Sequence, residues 1–302
     1  MGSGRVGATH QAAIRGLYDG HMNRQGSCAE LLADHNAHGR HLVVGLDTAW
    51  ERLPASVNHL DSPADRVIAF NREIIDQTSD LVCAYKPNIA FYEALGADGF
   101  RALKETIGSI RQLAPNVPII VDAKRGDIGS SNSGYVAAIF DELGADAITV
   151  HPYLGREALA PFLEREDRLI FVLARTSNPG AGEFQDLEAL GRPLYRHVAR
   201  AVATTWNGSG NCGLVVGATY PDELRLVRAD TGPEIPILIP GVGTQGGDLR
   251  AVVSIHREAD SESFLINASR SILYASADAD FSIVARTAAQ NLSDEIASLM
   301  VG

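Results

Sequence analysis

The stretch IIVDAKRGDIGSS, residues 119–131, places charged side chains where an apolar strand ends. Its first half is typical of a buried β-strand. Asp122 and Lys124 are two residues apart, so their side chains lie on one face of that strand, and Asp127 follows in the turn. Such a row of carboxylate and ammonium groups is either a structural salt-bridge network or a set of catalytic charges.

Apolar runs of this kind recur along the chain, with helical segments between them. Each run is rich in β-branched residues and ends in a polar or glycine-containing turn. The runs cover residues 41–47, 81–88, 118–127, 147–153, 169–178, 213–221, 236–243 and 264–271. Eight strand–helix units predict an α/β fold with a parallel sheet, and eight strands close a single (β/α)8 barrel. An open, doubly wound sheet is the alternative fold.

The length of 302 residues allows one barrel domain, which commonly needs roughly 250 residues. We assign the barrel to residues 28–302 and an N-terminal tail to residues 1–27. Gly-His-Met at 20–22 resembles a cloning remnant, so either the native chain starts at Met22 or the tail is natural. Residues 177–212 are predicted to hold a structured loop before a helix at 194–206.

The composition excludes several classes of partner. A net charge of −11 argues against nucleic-acid binding. No apolar run approaches the ~18 residues of a membrane span. Cys28, Cys83 and Cys212 are odd in number and lack metal-ligand spacing, which favours reduced thiols and a cytoplasmic location.

Polar residues gather where the predicted strands end, which is where barrel enzymes carry their active sites. Any one of them could simply mark the start of a loop, but several lie inside the apolar runs. They are Asp47, Lys86, Asn88, Asp122, Lys124, His151, Arg175 to Asn178, Thr219, Gln245 and Arg270. A lysine held between carboxylates stays protonated, which suits a proton donor and not a Schiff-base nucleophile.

The stretch PGVGTQGGDL, residues 240–249, contains a G-x-G-x-x-G match at Gly241, Gly243 and Gly246. A dinucleotide fingerprint usually opens its domain, whereas here six predicted strands come first. The loops after strands seven and eight of a barrel commonly bind phosphate. Gln245 adds a neutral donor and Arg270 a forked cation, so the sequence predicts a phosphorylated small substrate.

Five segments together resemble orotidine 5′-phosphate decarboxylase, in its longer bacterial subgroup. They are DAKRGDIGSS (122–131), ARTSNPG (174–180), GLVVGATYP (213–221), PGVGTQGGD (240–248) and INASRSILYA (266–275). Related phosphate-binding barrels share the D-x-K-x-x-D pattern, but the full set is specific, and the resemblance runs from about residue 41 to 290. It implies conversion of orotidine 5′-phosphate to uridine 5′-phosphate in pyrimidine biosynthesis, without metal or organic cofactor.

The resemblance also implies roles for individual residues. Lys86, Asp122, Lys124 and Asp127 would form a charge array in which Lys124 is the proton donor. The implied substrate contacts are the ribose hydroxyls for Asp47 and Lys86, the pyrimidine amide for Ser177, the pocket wall for Pro240, and the phosphate for Gln245 and Arg270.

A homodimer with shared active sites is a further implication. Asp127, Ile128 and Ser131 would reach the pocket of the partner subunit, and Ser131 stands where the family often has threonine. Asn88 and His151 have no assigned role, since a strand-end hydrogen bond and a satisfied core histidine explain them equally well.

Two other functions remain open at this stage. A metal-dependent sugar-phosphate decarboxylase or aldolase of the same barrel group would carry a carboxylate ligand near the end of strand two, where this chain has Lys86. A non-catalytic sensor of phosphorylated ligands would have no need of the proton donor Lys124.

Overall fold

The structure is a computed structural model that describes residues 26–242 and 246–301. Its sheet consists of parallel strands, each within or one residue beyond a predicted apolar run. The strands are β1 Leu42–Leu46, β2 Ala84–Pro87, β3 Ile120–Arg125, β4 Ala147–Val150, β5 Leu169–Arg175, β6 Cys212–Val216, β7 Ile237–Pro240 and β8 Phe264–Ala268.

Neighbouring strands pair in the order β2-β1-β8-β7-β6-β5-β4-β3. Parallel bridges from Tyr85 to Ile119 and from Asn88 to Asp122 join β2 to β3, so the ring closes. The predicted (β/α)8 barrel is therefore confirmed, and the open-sheet alternative is wrong.

One helix precedes β1, and the later helices follow the strands, most of them covering the outside of the barrel. The described helices are α1 Cys28–Ala37, α2 Pro63–Thr78, α3 Ile89–Glu93, α4 Ala97–Leu113, α5 Gly129–Val136, α6 Gly155–Leu163, α7 Gly182–Gln185, α8 Leu194–Ala201, α9 Pro221–Thr231, α10 Leu249–Glu258, α11 Arg270–Leu273 and α12 Phe281–Val301. Single-turn π-helical segments at Ala137–Glu142 and Val202–Trp206 extend α5 and α8.

Helix α2 shows how the sequence specifies these elements. The side chain of Ser62 accepts a hydrogen bond from the Asp65 N–H and so caps the helix, whose first residue is Pro63. Val67, Phe70 and other apolar residues recur at helical spacing and are buried, because α2 lies against α4, α12 and the barrel.

The core has two layers. The outer layer lies between strands and helices, and each fully buried phenylalanine there, such as Phe70 or Phe162, contributes roughly 1.5–3 kcal/mol. The inner layer fills the barrel with side chains that include Val43, Ile120 and Phe171. Because this interior is filled, functional groups at the carboxyl ends of the strands rest on a packed floor.

The long segment after β5 is ordered, as predicted. It contains a 3-10 turn at Pro179–Ala181, helix α7, a short antiparallel ribbon of Glu188–Ala189 with Arg192–Pro193, and helix α8. Of the tail assigned to residues 1–27, positions 1–25 lie outside the described residues. Among the helices that are described, none combines the length and apolarity needed to cross a bilayer.

Buried His256 makes the barrel sensitive to acid. Burial, and then the positive charge of Arg228, lower the pKa of His256 from 6.5 to about 3, although a bond to the Val252 carbonyl opposes this. Between these pH values His256 is protonated in the unfolded chain but not in the folded chain. The unfolding free energy therefore falls as pH drops from 6.5 towards 3.

We expect His256 to cost about 2 kcal/mol of unfolding free energy between pH 7 and pH 5. Urea unfolding measures the unfolding free energy at both pH values. In His256→Leu, the decrease from pH 7 to pH 5 should be smaller than in the parent by about 2 kcal/mol. The matched variant His59→Leu replaces an exposed histidine. Its decrease in unfolding free energy from pH 7 to pH 5 should equal that of the parent. Equal pH dependence in the parent and His256→Leu would contradict this assignment.

Candidate active site

The charges that end β3 converge on one carboxylate. Lys124 Nζ lies 2.6 Å from Asp122 Oδ1, and Lys86 Nζ lies 3.0 Å from Asp122 Oδ2. Burial by itself would raise the pKa of Asp122, but the two ammonium groups outweigh burial and hold this pKa well below its usual range. Asp122 is thus ionised at neutral pH.

Lys86 is buried on β2 and also faces Asp47, with 3.7 Å between its Nζ and Asp47 Oδ1. Burial would lower the pKa of Lys86, yet the charges of Asp122 and Asp47 raise it above its usual value. This ammonium therefore stays charged through neutral pH. Its Nζ contacts both carboxylates, and a cation there is a poor neighbour for the divalent ion of the metal-dependent alternative.

A bulge in β3 aims Lys124 at the cavity. Val121 pairs with Ile148 and Arg125 pairs with Val150, so Asp122, Ala123 and Lys124 together face a single residue of β4. Lys124 has φ +48°, a left-handed conformation that is uncommon outside glycine and that concentrates at functional sites.

Gly126 lets the chain turn away just after the bulge. Its φ is +150°, and a Cβ added there would lie 2.8 Å from the carbonyl oxygen of His151. The backbone N–H of His151 donates to the Arg125 carbonyl at 2.9 Å. This hydrogen bond ties the turn after β3 to His151, the residue that follows β4.

A cavity of about 480 Å³ opens above the barrel floor, a size that suits a small-molecule ligand. Most residues predicted for the site line it, and so does Asn88, whose side chain also caps α3. The predicted residues in its wall are Asp47, Lys86, Asp122, Lys124, Ser177, Pro240 and Arg270.

Other predicted residues lie elsewhere. Asp127, Ile128, Ser131 and His151 are not part of this wall, and Ile128 is 59% exposed. Gln245 lies outside the described residues. The loop that carries Asp127 is well defined, because buried Asn132 accepts from the Asp127 N–H at 2.9 Å and donates to the Asp127 carbonyl at 2.6 Å.

The predicted phosphate end is formed by the loops after β7 and β8. Gly241 has φ +98°, and the Gly247 N–H donates to the Gly241 carbonyl at 3.1 Å, so the described ends of this loop meet. A Cβ on Gly247 would lie 2.5 Å from the Cβ of Ala218, so only glycine permits this approach. Arg270, the first residue of α11, also lines the cavity.

The segment after β5 supplies a wall that the sequence did not reveal. Gln185 of α7 lines the cavity, accepts from the Thr176 N–H at 2.8 Å and donates to the Thr176 hydroxyl at 2.9 Å. Buried Arg175 holds α7 in place through Asp186, with 2.9 Å between Arg175 Nε and Asp186 Oδ1. These bonds tie α7 to the two residues that precede Ser177.

Thr149 and Asn267 also line the cavity and were missed. A signal for Thr149 was present, since it lies two residues after Ala147 on β4 and two residues before His151, which follows the strand. One polar residue among apolar neighbours was too weak a pattern to single out.

The arrangement suits chemistry that develops negative charge on a bound ligand. A half-exposed ammonium, Lys124, lies at the cavity with its carboxylate partner fixed behind it. Charges that the fold already holds in place need not reorganise during a reaction. Arg270 adds a second cation to the cavity wall, which suits an anionic group on the same ligand.

Comparison with known proteins agrees with this geometry. The sequence profile described as "Orotidine 5'-phosphate decarboxylase / HUMPS family" matches residues 40–280. A curated protein named orotidine 5′-phosphate decarboxylase from Herpetosiphon aurantiacus is 52% identical over 250 residues, which cover 82% of this chain and 90% of that protein. One of the same name from Thermomicrobium roseum is also 52% identical, over 84% of this chain and 89% of that protein.

A solved structure extends the likeness to three dimensions. Leishmania donovani OMP decarboxylase superposes with a TM-score of 0.79 at 37% identity, over 91% of this chain and 99% of that chain. The enzyme family predicted from the five sequence segments is thus confirmed. The chain belongs to the orotidine 5′-phosphate decarboxylase / HUMPS family.

Proposed function

We propose that this chain removes carbon dioxide from orotidine 5′-phosphate to give uridine 5′-phosphate. The observation that carries the proposal is the Lys86–Asp122–Lys124 array, held at 3.0 and 2.6 Å in the cavity wall. Its relatives at about half identity carry the name of this activity.

The substrate would lie across the cavity with its phosphate at the β7 and β8 loops. Arg270 and the backbone near Gly241, together with Gln245, would hold the phosphate. Asp47 and Lys86 would bind the ribose hydroxyls from the opposite side. Ser177 would meet the pyrimidine amide, and Pro240 would close the wall behind the ring.

In the reaction, the bond between the ring carbon and the carboxyl carbon breaks and its electron pair stays on the ring. Carbon dioxide leaves, the Lys124 ammonium stabilises the developing carbanion and then gives it a proton, and the neutral amine regains a proton from water. Asp122 holds the Lys124 ammonium in its orientation. We assign the larger part of the rate to these preorganised charges and not to strain on the substrate carboxylate.

We further propose a cytoplasmic homodimer in which Asp127, Ile128 and Ser131 complete the partner's pocket. The ordered loop of Asp127 and the exposed side chain of Ile128 support this, as does Tyr153, which is 87% exposed at the end of neighbouring β4. The three cysteines are buried and form no disulfide with one another, which agrees with a reducing compartment.

The function is tested by product identification. The purified chain is incubated with orotidine 5′-phosphate, and released carbon dioxide and uridine 5′-phosphate are quantified in parallel incubations. Equal amounts of the two products are expected. A chain that leaves orotidine 5′-phosphate intact but acts on a sugar phosphate when Mg²⁺ is added would overturn the proposal in favour of the metal-dependent alternative.

Replacing Arg270 with alanine should weaken use of the phosphorylated substrate more than use of the bare nucleoside. A charge-assisted hydrogen bond contributes roughly 1.5–3 kcal/mol, or about 10- to 150-fold in kcat/KM. The kinetics of Arg270→Ala are compared with those of Arg72→Ala, which removes an exposed cation from the outer surface of α2. If Arg270→Ala lowers kcat/KM equally for both compounds, Arg270 does not bind the phosphate.

A further inference from the structure

The hydroxyl of Thr149 makes three hydrogen bonds to the bulge of β3. It accepts from the Ala123 N–H at 3.1 Å and from the Lys124 N–H at 3.0 Å. It also donates to Asp122 Oδ1 at 2.8 Å. Thr149 is 1% exposed, so these bonds do not compete with bulk water.

The bulge explains why such a residue is needed. Where residues 122–124 face one residue of β4, the regular ladder cannot supply carbonyl acceptors for the Ala123 and Lys124 amides. Buried N–H groups without acceptors are rare because they are costly. The single hydroxyl of Thr149 accepts from both amides, and this holds Lys124 in its left-handed conformation at φ +48°.

The third hydrogen bond of Thr149 links the bulge of β3 to the charged side chains. Asp122 Oδ1 receives the Thr149 hydroxyl at 2.8 Å and the Lys124 ammonium at 2.6 Å. Since Lys86 occupies Oδ2, both carboxylate oxygens have fixed donors and the carboxylate plane cannot rotate freely. One side chain thus sets both the backbone of Lys124 and the direction of its counter-ion.

We infer that Thr149 is a positioning residue for the decarboxylation, acting through Asp122 and Lys124 without itself reacting. The inference rests on the proposed function for its kinetic consequence but not for its structural one. A displacement of the reacting group by about 1 Å can cost roughly 10²-fold in rate. Loss of the hydroxyl should therefore act on kcat and leave affinity for the product nucleotide, which carries no carboxylate, nearly unchanged.

The test compares Thr149→Val, which removes the hydroxyl at constant shape, with Thr149→Ser, which keeps it. Thr149→Val should lower kcat by about 10²-fold, while the inhibition constant of uridine 5′-phosphate stays within about threefold. Thr149→Ser should keep kcat within about fivefold of the parent. Thr78→Val is the matched control, because Thr78 is equally buried, its hydroxyl bonds to the Ile74 carbonyl and the Tyr85 hydroxyl, and it does not line the cavity.

Several results would overturn the inference. One is a kcat for Thr149→Val within threefold of the parent. Another is a kcat for Thr149→Ser that falls as far as that of Thr149→Val. The third is a loss of affinity for uridine 5′-phosphate in Thr149→Val as large as its loss of kcat. If Thr149→Val fails to fold, Thr149→Cys replaces it, because its thiol is only a weak acceptor; a kcat equal to that of Thr149→Ser then contradicts the role.

A crystal structure of the variant separates this inference from the proposed function. In Thr149→Val, or in Thr149→Cys if that variant replaces it, we expect the Lys124 backbone to leave the left-handed region or the Lys124–Asp122 distance to increase beyond 2.6 Å. An unchanged bulge would refute the positioning role even if the parent is active. A changed bulge in a protein that does not use orotidine 5′-phosphate would refute the function alone.

Discussion

Replacing Lys124 with alanine is expected to abolish turnover of orotidine 5′-phosphate while the barrel stays folded. Removing a general acid typically costs at least ~10²-fold, and here the cation that stabilises the carbanion is lost with it. The side chain is 51% exposed, so its removal opens no cavity in the core. Steady-state kinetics and thermal unfolding of the purified variant measure the two effects separately.

Lys104→Ala is the control for that experiment. Lys104 also pairs with a carboxylate, that of Glu142 at 2.6 Å, but it lies on the outer surface in α4. Loss of this partly exposed ion pair should change stability by no more than about 1 kcal/mol and leave turnover unaffected. Near-normal turnover in Lys124→Ala would show that another group donates the proton.

Mixing two inactive variants should restore activity if the pockets are shared between subunits. Asp127→Ala removes a residue that the proposed dimer places in the partner's pocket, and Lys124→Ala removes one from its own pocket. In a mixed dimer, one pocket receives both lesions and the other receives neither, because a two-fold interface exchanges the same surface in both directions. Random pairing makes about half of the dimers mixed, so roughly a quarter of all pockets should be intact.

The complementation needs evidence that subunits exchange. Differently tagged Asp127→Ala and Lys124→Ala chains are mixed, and the doubly tagged dimer is isolated and assayed against each parent variant. Recovered activity near half of the wild-type value in the isolated mixed dimer supports the shared pocket. A doubly tagged dimer without activity would place Asp127 in its own subunit's site.

The sequence predicted the barrel well because strands in a parallel sheet are buried on both faces. The strand Leu169–Arg175, for example, is apolar up to Ala174 and then gives way to the polar residues 175–178. The strand ends also revealed the charges of Asp122 and Lys124. Once eight strands form a ring, residues far apart in sequence, such as Asp47 and Arg270, must meet at one end of it.

Other features depend on tertiary proximity and left little trace in the sequence. The bulge of β3 follows from its pairing with β4. The residue types around Lys124 do not predict its left-handed backbone conformation. The bond from Arg175 to Asp186 likewise needs α7 to fold back over β5. The trans roles of Asp127, Ile128 and Ser131 stay predictions, because they concern a second chain.

We expect the fixed charges of the protein to carry the decarboxylation without a metal ion. The most direct measurement is the initial rate of orotidine 5′-phosphate loss, followed by absorbance, after dialysis against a chelator and again after Mg²⁺ is added back. We expect the same rate in both conditions, since Lys86 and Lys124 supply the positive charge around Asp122. A rate that vanishes with the chelator and returns with the divalent ion would contradict it.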